Sequence, residues 1–278
     1  MYVSDNRTLR KRARLALKGN WQTALLITFG AGIFGLIISA LQINAWFPIM
    51  SGMSPYDWIM AFERQMYQYQ GITTILAILS FLFSPALAIG LNYYYLQLHR
   101  GQEARFSLLF SRMQILWKCL GQLLLTTLLK ILWGLTGFVP LFLLLWWTGP
   151  FPPLIGMLLT WASMIPFIIA SLRYAMAPYL LADSPDIGII ASIARSKELM
   201  YGDKGRLFGL CLSFLGWILL ALAAMFAMSL LSVIAGIVVG LFISLMVQVY
   251  MNSAVAAFYL ELTGQAPRPE EAQKGQAE

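Results

Sequence analysis

One run of 54 residues, 207–260, contains no Lys, Arg, Asp or Glu. A chain with such a run cannot wet it as a soluble surface. A membrane-spanning helix takes about 20 apolar residues, so the run is long enough for two spans folded back on each other. The turn is predicted within residues 229–236. Composition extends this to the whole chain: 59% of residues are hydrophobic, 11% are charged and the mean hydropathy is +0.72. A soluble domain carries about 25% charged residues. Lipid is therefore the expected solvent for most of the chain. Two cysteines, Cys119 and Cys211, are too few for a disulfide framework. They are read as small apolar packing residues on the reducing side of the membrane.

Six spans are predicted, at about residues 21–47, 72–98, 119–147, 154–181, 207–229 and 236–260, in a single membrane domain of residues 1–262. The segment before Trp21 is polar, and the apolar run after it is long enough to span. It is expected to remain as a helix rather than be cleaved as a signal peptide. Gly30, Gly32 and Gly35 offer a small-residue face for close packing in the first span. Residues 48–70, with Pro48, Pro55 and several aromatics, are expected to form an outer loop. The tail, 263–278, has Pro267, Pro269 and clustered Glu, and is expected to be a disordered cytoplasmic segment.

Charge sets the orientation. Of 19 Lys and Arg, six lie in residues 7–18, four in 100–118, five in 173–206 and two in the tail. Arg64 alone falls in a loop of the other side, and Lys130 lies within a span. By the positive-inside rule both termini are expected to be cytoplasmic.

Each basic segment is expected to lie at the membrane surface as an amphipathic helix. In residues 5–18, Asp5 or Asn6 can cap the helix. Arg7, Lys11, Arg14 and Lys18 make a basic stripe opposite Leu9, Ala13, Ala16 and Leu17. In 99–118, Arg105 and Arg112 accompany an apolar face of Phe106, Leu109, Phe110, Met113 and Trp117. In 184–206, Ser184 and Pro185 offer a cap and a first helical residue, and Lys197, Lys204 and Arg206 supply charge. The predicted fold is thus an all-α membrane protein whose six transmembrane helices form three hairpin repeats, each preceded by a basic amphipathic interfacial helix. The returning spans carry polar and aromatic groups near their cytoplasmic ends: Asn92 with Tyr93, Tyr94 and Tyr95; Arg173 with Tyr174 and Tyr179; Gln248, Tyr250 and Asn252 with Tyr259. Internal repeats of this kind can gather such ends around one axis.

Several chemistries are missing from the sequence. It has no HExxH, no phosphate-binding P-loop and no GxSxG elbow. The single histidine, His99, has no cysteine or second histidine near it. No Asp or Glu falls within a span core, where a proton-driven carrier usually keeps one; Glu261 comes nearest. The intramembrane charges are Lys130 and Arg173, and burying either costs at least about 2.5–3.5 kcal/mol. Either they snorkel to the inner headgroups or they hold an anionic group such as a lipid phosphate, for which the planar fork of Arg173 is suited.

The candidate ligand contacts are therefore Arg173, Lys130, Asn92, Asn252 and Tyr174. Arg7, Lys11, Arg14, Lys18, Arg105, Arg112, Lys197, Lys204 and Arg206 form the candidate membrane-surface or docking set. No catalysis, metal, cofactor or nucleic acid is expected, and the expected partner is the bilayer with its anionic lipids. The leading expectation is a non-enzymatic protein that binds anionic lipid or a small anion at the cytoplasmic leaflet. A membrane-embedded interaction or regulatory module and a small-solute transporter are the alternatives.

Five stretches resemble a known family: residues 15–21 (LALKGNW), 106–110 (FSLLF), 173–182 (RYAMAPYLLA), 196–217 (SKELMYGDKGRLFGLCLSFLGW) and 254–262, ending in AFY-x-E-L. They are similar to the bacterial integral-membrane domain-of-unknown-function family nine-seventy-five, and distantly similar to membrane domains of some glycerophosphodiester phosphodiesterases. The resemblance implies a six-span inner-membrane protein and no particular activity.

Overall fold

The computed structural model describes residues 5–33, 35–38, 54–103, 105–149 and 151–265. The described residues are helical, in chain order α1 Asn6–Leu17, α2 Trp21–Ala31, α3 Pro55–His99, α4 Leu116–Thr148, α5 Pro153–Ser163, α6 Ile165–Arg173, α7 Ala177–Asp183, α8 Ile189–Leu199, α9 Lys204–Leu212, α10 Leu215–Ser229 and α11 Val233–Leu262. Two short 3-10 turns, Phe106–Phe110 and Met113–Ile115, precede α4. Among the described residues, five segments are long and apolar enough to cross a membrane: Gln70–His99, Phe106–Trp147, Leu154–Asp183, Lys204–Ser229 and Val233–Leu262. The chain is a multi-pass helical membrane protein. The expected first span, 21–47, lies partly outside the described residues, and so does most of the tail.

Local chemistry explains most boundaries. Asp5 caps α1 by accepting a hydrogen bond from the Asn6 amide at 2.8 Å. Gly19, at φ +84°, lets the chain turn sharply into α2. The 207–260 run turns back between Ser229 and Val233.

Three expectations are corrected. Residues 54–70 are helix, not loop. Ser54 Oγ accepts from the Asp57 amide at 3.2 Å, and Pro55 stands at the first helical position, where its missing N–H removes nothing. The aromatic stretch that follows has no breaker, and the helix continues through Pro85, so α3 runs on for 45 residues, a rise of about 67 Å against a hydrocarbon core of about 30 Å.

The second basic segment is not an α-helix either. It is two 3-10 turns, and of its expected apolar face only Leu109 is fully buried, while Phe106, Phe110 and Trp117 are exposed. The turns are set by a tight approach to α3: a Cβ on Gly90 would lie 2.1 Å from the Leu109 carbonyl oxygen. Only glycine admits that backbone contact.

In the third segment, α8 begins at Ile189 after Gly188, not at Pro185. The Ile187 amide donates to the Ser184 carbonyl at 3.2 Å, so Pro185 is the second residue of a β-turn rather than the first of a helix.

The span 154–183 is broken twice. Pro166 and Pro178 each sit in the first turn of a new helix, α6 and α7. Side chains tie the second break to its neighbours: Ser196 Oγ donates to the Arg173 carbonyl at 3.0 Å, and Gln122 Nε2 to the Ala177 carbonyl at 2.8 Å. The largest core lies at one end of the bundle, where the last turns of α3, α7 and α11 meet with α1. Tyr94, Tyr95, Phe258 and Tyr259 are fully buried there, and Tyr179 stacks on Tyr259 with ring centroids 5.6 Å apart.

Candidate functional site

The site is built on α1. Its apolar residues Leu9, Ala13 and Leu17 are fully buried, so this face docks on protein, chiefly α11, rather than on lipid. Two side chains of α11 fix its backbone: Tyr250 Oη donates to the Arg10 carbonyl at 3.2 Å, and Ser253 Oγ to the Ala13 carbonyl at 3.4 Å. His99 braces Ser253 from the end of α3. Its Nε2 lies 2.8 Å from the Ser253 carbonyl, an atom that only accepts, so Nε2 carries the proton.

A carboxylate clamps the same helix. Glu261, near the end of α11, holds Arg206 of α9 at 2.7 Å and Arg12 of α1 at 3.5 Å. Arg206 also bonds Asp203 at 2.6 Å, and its guanidinium lies 5.4 Å over the Phe258 ring. Beside this clamp, Asp183 at the end of α7 receives Arg100 at 2.7 Å and Tyr259 Oη at 3.2 Å. Arg100 also bonds Gln265. One end of α3, α7 and α11 is thereby tied into a single polar node.

With α1 held this way, Arg7, Arg10 and Arg14 project over a cavity of about 750 Å³. Trp21 of α2 stands at one side. Trp217 and Leu220 of α10 form the facing wall, and Ile243, Met246, Val247 and Tyr250 of α11 form the back. None of the three arginines pairs with a carboxylate among the described residues; the ion pairs use Arg12, Arg100, Arg105, Arg195 and Arg206 instead. Three like charges at i, i+3 and i+7 on one helix face repel one another, at roughly 0.2–0.5 kcal/mol per neighbouring pair. An anion in the cavity removes that repulsion and gains charge-assisted hydrogen bonds.

The other predicted residues lie elsewhere. Arg173, half-buried at the end of α6, stands 5.9 Å over the Trp133 ring of α4, one helical turn beyond Lys130 on that helix. Tyr174 is buried with Ala170, Ala177 and Ile193. Asn92 is on α3, and Asn252 on α11 faces the Tyr95 hydroxyl, which also bonds Thr28 at 2.7 Å. None of these five lines the cavity.

Within the surface set, Arg7, Lys11, Arg14, Lys18 and Arg105 are exposed, while Arg112, Lys197, Lys204 and Arg206 are half-buried. Arg112 stacks 4.0 Å over the Tyr93 ring and donates to the Ala182 carbonyl at 2.6 Å, so it joins α3 to α7. Arg206 belongs to the Glu261 clamp. Sequence reasoning missed Arg10, although Arg7, Arg10 and Arg14 share a face with Trp21 just beyond. It also missed Arg12, Arg100 and Asp183, whose partners are distant in the chain: 76 residues for Asp183–Tyr259, 83 for Arg100–Asp183 and 249 for Arg12–Glu261. No group of three His, Cys, Asp or Glu suited to a metal occurs among the described residues.

The model of a family described as "Protein of unknown function (DUF975)" matches residues 1–266. No curated protein and no solved structure matches the chain. The expected distant likeness to phosphodiesterase membrane domains is not shown by these comparisons.

Proposed function

The chain belongs to the DUF975 family, and from its geometry we propose a non-enzymatic membrane protein that binds a phosphate-bearing anion at the inner leaflet. In this reading it crosses a bacterial inner membrane six times, as three hairpins each preceded by a basic segment, with both termini in the cytoplasm. The observation that carries the reading is the set of three arginines, Arg7, Arg10 and Arg14, facing one cavity and without carboxylate partners among the described residues. Guanidinium groups match phosphate oxygens with two parallel hydrogen bonds. The exposed cations Lys11 and Lys18 on the same helix add attraction to an anionic surface, worth about 1 kcal/mol per residue near it. The aromatic core at the ends of α3, α7 and α11, where Tyr94, Tyr95, Phe258 and Tyr259 are fully buried, favours binding over transport.

Native mass spectrometry of the purified protein with mixed phosphatidylglycerol and phosphatidylcholine tests the reading. Wild type retains the anionic lipid selectively, and Arg7→Gln/Arg10→Gln/Arg14→Gln loses that selectivity. Arg173→Ala leaves it unchanged. Selectivity that survives the triple change and vanishes with Arg173→Ala would move the site to the α4–α6 pair.

A further inference from the structure

We infer that the occupant of the Arg7–Arg10–Arg14 cavity is a single anionic phospholipid, its phosphate under the arginines and one acyl chain against α10 and α11, admitted sideways from the bilayer. This inference rests on the anion-binding reading above and specifies its ligand.

The walls of the cavity carry the argument. Below the arginines the lining side chains among the described residues are apolar or aromatic: Trp21, Trp217, Leu220, Ile243, Met246, Val247 and Tyr250. On α11 the back wall extends from Tyr250 to Ile243, seven residues or about 10 Å of helix rise. A free phosphate would occupy only the top of such a space and leave the wall bare. The front wall points to the route of access. Trp217 and Leu220 are 50% and 54% exposed, and both belong to the apolar segment Lys204–Ser229. An exposed apolar side chain on a spanning helix faces acyl chains, so the cavity is continuous with the hydrocarbon region. Trp21 and Trp217 flank the boundary between charge and apolar wall, where amphipathic indoles are favoured. Charge above, indoles between and alkyl side chains below reproduce the sequence of chemistry along one phospholipid.

Three arms test this. In native mass spectrometry, wild type binds phosphatidylglycerol at least about tenfold more tightly than glycerol 3-phosphate, because the chain contacts add to the headgroup contacts. Filling the groove with Leu220→Phe and Ile243→Phe lowers phosphatidylglycerol retention by about tenfold or more and leaves glycerol 3-phosphate binding as in wild type. The third arm needs no filled groove. In nanodiscs, phosphatidylglycerol brominated on its chains quenches the Trp217 share of emission (wild type minus Trp217→Phe) more than brominated phosphatidylcholine does. Equal binding of the soluble phosphate, an unaffected lipid in the filled variant, or equal quenching by the two lipids overturns the inference while the anion-binding reading stands. Retention unchanged in the triple-glutamine variant overturns both.

Discussion

Glu261→Gln separates the clamp from the rest of the α1 docking surface. The Glu261 side chain is 10% exposed, against 23% for Arg12 and 22% for Arg206. Breaking a fully buried ion pair costs about 3–5 kcal/mol, and an exposed one about 0–1 kcal/mol. This clamp lies between those limits. Arg206 keeps Asp203 at 2.6 Å, and glutamine still offers one acceptor, so about 2 kcal/mol is expected. For a chain of this size that is a fall in Tm of about 4–8 °C. The helix does not leave, because burying Leu9 and Leu17 contributes about 1.5–3 kcal/mol each. It tilts, and lipid selectivity weakens while the protein stays folded. Thermal unfolding in detergent, followed by circular dichroism, reads the first effect. A double-mutant cycle with Arg12→Ala reads its origin: that substitution costs at least about 1 kcal/mol less in the Glu261→Gln background. A stability change below about 0.5 kcal/mol, together with an Arg12→Ala effect equal in both backgrounds, would refute the clamp.

The close approach at Gly90 predicts a sign. Gly90→Ala places its Cβ against the Leu109 backbone and destabilises by about 1–3 kcal/mol, whereas Gly71→Ala on the same helix, with nothing within 4 Å, stabilises by up to about 1 kcal/mol; detergent unfolding that ranks them the other way contradicts the packing. Asp183→Asn leaves Arg100, 25% exposed, with a weaker acceptor and loosens the node of α3, α7 and α11. The expected loss is about 1–3 kcal/mol, with faster amide exchange at the ends of those helices, and unchanged exchange would show that the node carries nothing.

Where local chemistry decides, the sequence was readable. The uncharged run demands two spans and a turn, and the turn falls at residues 230–232 as helical length requires. Asp5 and Gly19 mark the ends of α1 by capping rules that need no tertiary context. Elsewhere the same rules have two outcomes. Pro55 starts a helix and Pro185 belongs to a β-turn, and only the following residues and the contacts around them choose between these. Residues 106–117 have helical spacing of apolar side chains, yet the carbonyl of Leu109 packs on Gly90 and the chain tightens into 3-10 turns.

The candidate site was half legible. The charge of α1 was plain, but a basic stripe read as Arg7, Lys11, Arg14 and Lys18 hides the second stripe Arg7, Arg10 and Arg14. Its apolar face looked made for lipid and is instead buried on α11. Nothing local announces that Arg12 meets Glu261, 249 residues away. Lys130 and Arg173 drew attention because charge within a span is costly, and the structure places Arg173 over Trp133 rather than in the cavity.

The central claim, that Arg7, Arg10 and Arg14 hold the phosphate of an anionic lipid, is tested most directly by a structure of the full chain in nanodiscs containing phosphatidylglycerol. The predicted result is headgroup density within hydrogen-bond distance of at least two of the three guanidinium groups, with chain density running along Trp217 and Ile243. An empty cavity, with ordered headgroup density at Arg173 or Lys130 instead, would contradict it.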